Sequence, residues 1–84
     1  MMYADNRCTY VEQFKPHGYI FTGPCMHTKK DYSVFVPAAE LYAYRQGKHI
    51  QDAMPSVKSE DREFLMSGFS PEGWKALFGV TNED

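Results

Sequence analysis

Residues 32–47 read Tyr-Ser-Val-Phe-Val-Pro-Ala-Ala-Glu-Leu-Tyr-Ala-Tyr-Arg-Gln-Gly, and the fold turns on a change of period inside them. Ahead of Pro37 the chain alternates, with Tyr32, Val34 and Val36 on one face, as a strand requires. Pro37 then supplies the backbone angle favoured at a first helical position, Ala38–Gln46 holds good helix formers, and Gly47 offers a left-handed stop. Within that helix Ala38, Leu41, Tyr42 and Arg45 share a stripe, and Tyr44 lies beside Leu41 one turn on.

Working backwards, Tyr19–Thr22 is a second aromatic and β-branched run, closed by Gly23 and Pro24, and Thr9–Phe14 is a weaker third, ended by Lys15, Pro16, His17 and Gly18. The segment Pro24–Asp31 then forms a hairpin loop with its tip near Thr28, Lys29 and Lys30. A meander of three antiparallel strands is the simplest topology. Working forwards, His49–Met54 gives one or two helical turns before Pro55. Ser59 is placed to cap a helix to Ser67, with Glu60 and Asp61 at its positive end and Gly68 as its stop. Ser70 and Pro71 repeat the start signal, Phe69 can staple onto Trp74, and Trp74, Leu77 and Phe78 form the clearest apolar stripe before Gly79. The expectation is one α+β domain over residues 1–84: a β-meander at 8–36, three or four short helices at 37–79 covering one face of the sheet, and a tail at 80–84. Of Tyr42, Tyr44, Phe69, Trp74 and Phe78, the last two are expected to be the most buried.

Composition bounds the function. The 84 residues are 43% hydrophobic and 15% aromatic, enough for one core and too few for a second domain. No run approaches the length of a membrane span and no signal segment opens the chain, so a cytosolic location is expected. Cys8 and Cys25 are too few for a disulfide scaffold and are expected to be reduced thiols. A formal charge of −2 excludes a generic polyanion binder, although residues 1–50 hold six Lys or Arg against four acids and residues 51–84 three against seven.

Specific chemistry finds little support. Only Cys25 and His27 are close enough to share a metal, and their spacing is not that of a zinc site. No pattern places a thiolate at a helix start, and no glycine-rich phosphate cradle appears. An enzyme, a cofactor and a bound metal are therefore not expected. Single-stranded nucleic acid could use the sheet and basic hairpin, through Lys15, Tyr19, Phe21, Lys29 and Lys30. The leading expectation is instead a protein-binding surface on the 37–46 helix and the acidic C-terminal helices: Tyr42, Tyr44 and Phe69 as anchors, rimmed by Glu60, Asp61, Arg62 and Glu63. Surplus aromatics are also compatible with a homodimer.

Thr22-Gly23-Pro24-Cys25, Tyr32-Ser33-Val34, Gln46-Gly47-Lys48-His49-Ile50-Gln51, Arg62-Glu63-Phe64-Leu65, and Ser67 through Trp74 with Leu77-Phe78 resemble a group of small uncharacterised proteins encoded by tailed bacteriophages. The resemblance spans about residues 8–79. It implies a phage accessory protein in the cytoplasm of an infected bacterium, with a host or phage protein as partner, and carries no assigned functional residues. Where those proteins have Thr-Gly-Lys at the hairpin tip, this chain has Thr28-Lys29-Lys30, so no glycine turn is carried over to it.

Overall fold

The structure, a computed structural model, describes residues 2–79. Three strands, β1 (Thr9–Phe14), β2 (His17–Pro24) and β3 (Asp31–Pro37), form an antiparallel sheet in the order β1-β2-β3. A short helix α1 (Tyr3–Arg7) precedes the sheet, and α2 (Ala38–Arg45), α3 (Ile50–Ala53), α4 (Ser59–Ser67) and α5 (Pro71–Phe78) follow it. This is the expected α+β meander with helices after it.

The register explains the core. Phe21 sits opposite Tyr10 on one side and Val34 on the other, and Tyr19 sits opposite Glu12 and Val36. Because side chains alternate, these residues share one face of the sheet. Phe21, Val34 and Val36 on that face join Met2, Ala4, Ala53, Met54, Val57, Phe64 and Leu65 in a single buried cluster. Phe64 is its hub, with the rings of Tyr3 and Tyr32 edge-on to it at 5.9 and 5.1 Å. The opposite face carries a row of Val11, Ile20 and Phe35, with Phe35 folded over Gly18, where a β-carbon would come within 2.6 Å of the ring.

Several local expectations are corrected. Helix α1 had no sequence signal: its cap, Met2, has no side-chain acceptor, and its N–H is satisfied by the Asp5 carboxylate at 3.2 Å. Met2 and Ala4 are nonetheless core residues. Lys58, not Ser59, caps α4, and Pro37 caps α2 instead of opening it. At the hairpin tip Lys29 takes the left-handed conformation, φ 67°, held by its N–H donating to the Cys25 carbonyl at 3.0 Å. A tight turn thus forms without glycine.

Helix α5 departs most from expectation. Ser70 caps it as foreseen, its hydroxyl accepting the Gly73 N–H at 3.1 Å. Yet Gly73 is the helix's one buried residue; Trp74 is half-buried, and Leu77 and Phe78 are exposed, Phe78 to 52%. The helix meets the domain through its first turn, where Gly73 lies against Cys25, and the stripe on its later turns points outward. The rings of Trp74 and Phe78 pack on each other, centroids 4.4 Å apart.

Candidate functional site

Strand β1 is the least buried element of the sheet. β2 is the element it packs on, and no helix lies squarely over it among the described residues. Its inward-facing side chains therefore continue the core face of the sheet beyond the helices and into solvent. Val11, on the opposite face, is 62% exposed, and Tyr10 and Phe14, on this one, are 62 and 70% exposed.

These side chains form a connected surface. Phe14 stacks on His17, planes 1° apart and centroids at 5.8 Å. His17 leans on Tyr19 at 5.9 Å, and Tyr19 meets Tyr10 edge-to-face at 5.7 Å. Tyr10 in turn tilts against Phe21 at 5.6 Å, where the run enters the core. Beside it, α2 supplies Ala38, Leu41, Tyr42 and Arg45, which with Tyr10, Tyr19 and Phe21 line a groove of about 460 Å³. Tyr42 is 66% exposed at its lip. The ledge is therefore aromatic, open, and built on a strand and a helix anchored by the core.

Its charged side chains have partners in place. Glu12 meets the Nε2 of His17 at 2.7 Å, and Arg45 meets Asp5 at 2.8 Å. Hydrogen bonding to Arg45 outweighs burial and holds the Asp5 carboxyl below the usual carboxylate range. A second, shallower dish of about 840 Å³ lies on the other side of Arg45, lined by Tyr44, Lys48, His49, Ile50 and Met66 among others.

Of the sequence-predicted protein-binding residues, Tyr42 belongs to the ledge. Tyr44 packs against the core and turns its hydroxyl toward the Met66 sulfur at 3.8 Å, and Phe69 is half-buried. The predicted rim is divided. Glu60 is exposed, Glu63 half-buried, and Asp61 accepts the Tyr32 hydroxyl at 2.5 Å; burial, reinforced by that bond, raises the Tyr32 pKa. Arg62 donates to the Met54 and Val57 carbonyls at 3.0 and 2.8 Å, so it ties the α3–α4 loop down and does not project as a rim charge.

The nucleic-acid set is scattered. Phe21 is 2% exposed and presents no face for a base. Lys15 sits in the β1–β2 turn, at the opposite end of β2 from Lys29 and Lys30, roughly 20–25 Å away along an eight-residue strand. Lys29 Nζ donates to the Met26 carbonyl at 3.0 Å, and Lys30 lies 3.6 Å from Glu72.

Cys8 and Cys25 are both free. Cys25 is fully buried, and its sulfur accepts the backbone N–H groups of His27, Thr28 and Ser70, each at 3.4 Å. Burial pushes this thiol up, but hydrogen bonds from Ser70 and Thr28 prevail and bring it down to about 6. A thiol at the start of α5 could not be read from the sequence, because Ser70 reaches Cys25 from 45 residues away. No group of three or more His, Cys, Asp or Glu able to hold a metal occurs among the described residues. No helix there is long and apolar enough to cross a membrane.

Comparison with protein-family models, with curated proteins and with solved structures finds no match to the chain.

Proposed function

We propose that this protein is a non-enzymatic binding module for another protein, docking through the aromatic ledge of β1, β2 and α2. The observation that supports this most is the connected run Phe14, His17, Tyr19 and Tyr10 lying open beside Tyr42. Each large apolar side chain that a partner covers stabilises a complex by roughly 1.5–3 kcal/mol, and tyrosine hydroxyls at the rim keep their water or partner hydrogen bonds. Paired charges around the ledge suit a protein surface better than a polyanion, whose affinity needs unpaired cations. Given the resemblance to tailed-phage proteins, the partner is proposed to be a host or phage protein in the infected bacterial cytoplasm.

The test is affinity capture from infected-host lysate with the wild-type chain and with Tyr42→Ala, Phe14→Ala and Glu60→Ala. The reading expects one partner retained by the wild type and by Glu60→Ala, and weakened about tenfold or more by each ledge variant. Tight, steeply salt-dependent binding of a single-stranded oligonucleotide, lost in Lys15→Ala, would replace it with the nucleic-acid reading.

A further inference from the structure

We propose that the free edge of β1 pairs antiparallel with β1 of a second copy of this chain, closing two sheets into one of six strands about a two-fold axis. This goes beyond the docking reading, which needs Tyr42, whereas the pairing does not.

An edge strand presents a row of unpaired backbone N–H and C=O groups, and soluble proteins guard such rows with lysine, proline, bulges or a covering element. Among the described residues no bulge or covering element protects β1, and its one guard is the inward-facing charge of Glu12. Within Thr9–Phe14 there is no lysine and no proline, and the single charge, Glu12, is occupied by His17. Apolar side chains are exposed on both faces, Tyr10 and Phe14 on one and Val11 on the other.

The order of residues selects the occupant. Tyr10 and Phe14 stand two positions to either side of Glu12, so reversing the strand about Glu12 lays aromatic on aromatic. In that register Tyr10 faces Phe14 of the partner subunit twice over, and Val11 faces Gln13 of the partner subunit. Centring the axis on Val11 sets Tyr10 against Glu12 instead, and centring it on Gln13 sets Glu12 against Phe14; both lose the aromatic pairs that stabilise cross-strand contacts. A foreign strand has to bring this pattern, and a second copy carries it already.

The area sets the strength. Tyr10, Val11 and Phe14, each about two-thirds exposed, present roughly 350–400 Å², about half of the ~800 Å² per partner of a stable complex. The edge backbone and flanking side chains add to this, but the total stays below that of a standard interface, so the dimer is expected to be weak and concentration-dependent. The chosen register also leaves a signature: the two Glu12 carboxylates face each other at the axis, and like charges opposite one another weaken a sheet.

Sedimentation velocity on the full chain, from micromolar to millimolar concentration, tests this. The wild type is expected to pass from monomer to dimer, Phe14→Lys to weaken the dimer by about tenfold or more, and Glu12→Gln to tighten it by about twofold to fivefold. Mixing wild type with Glu12→Lys is expected to form heterodimer in preference to either homodimer, because only an axis through residue 12 sets opposite charges face to face. A chain monomeric throughout the range, or a dimer indifferent both to Glu12→Gln and to the mixing, overturns the proposal. The first result leaves the docking reading standing, since Tyr42→Ala tests that separately.

Discussion

The two edges of this sheet were built to different ends. β3 begins at Asp31, buries Val34 and Val36, fastens Tyr32 to Asp61 on α4, and runs at Pro37 directly into α2. β1 buries none of its six side chains fully and holds to the domain through β2. Similar residue types occur in both strands, so what separates them is the position of the helices. These cover the β2–β3 half of the inner face and stop short of β1. One edge is consumed in making the fold, and the other remains as surface.

That contrast can be broken most sharply at the centre of the closed side. Phe64→Ala removes the ring on which Tyr3 and Tyr32 converge, and is expected to cost about 3–5 kcal/mol in urea unfolding. Tyr32→Phe, which strips a hydrogen bond to a carboxylate, is expected to cost about 1.5 kcal/mol in the same measurement. The hairpin tip offers a change of opposite sign. Lys29→Gly relieves a left-handed lysine while loosening the unfolded chain, and a net gain of about 0.5–1 kcal/mol is expected. On the open side, Phe14→Ala is expected to leave stability within about 0.5 kcal/mol of wild type while weakening both self-association and partner capture. A loss comparable to that of Tyr32→Phe would show that β1 belongs to the core after all.

Cys25, in the loop feeding β3, adds a pH dependence to the closed side. Its folded pKa of about 6 lies below the ordinary thiol range, so between the two the unfolded chain binds the extra proton. Stability should therefore rise with pH across that interval and lose this contribution as pH falls through about 6. Thermal melts at a series of pH values check it: the slope is expected in wild type and flattened in Cys25→Ala. Cys8 titrates above its ordinary value because of burial, so its opposing effect falls at higher pH.

Much of the fold was legible because it is written locally. The change of period at Pro37, the Ser70 and Pro71 start, and the glycine stops at 47, 68 and 79 each act within a few residues, and all three glycines have positive φ. What could not be read depends on approach from a distance. The stripe of Trp74, Leu77 and Phe78 declares one side of α5 greasy without saying what it meets. The acceptor role of Cys25 depends on Ser70, and Arg62 looks like a rim charge until its carbonyl partners come into view. The aromatic ledge was half visible: Tyr42 and Tyr19 stood out, but Tyr10 and Phe14 gain meaning only once β1 is known to be the edge strand.

The contact between α5 and the loop has a consequence for how this sequence can drift. A β-carbon on Gly73 would lie 2.4 Å from the Cys25 sulfur, which is buried and cannot swing aside. Positions 25 and 73 therefore share one fixed volume. In descendants of this chain, a methyl gained at residue 73 should be matched by atoms given up at residue 25, whereas residue 25 can shrink with Gly73 in place.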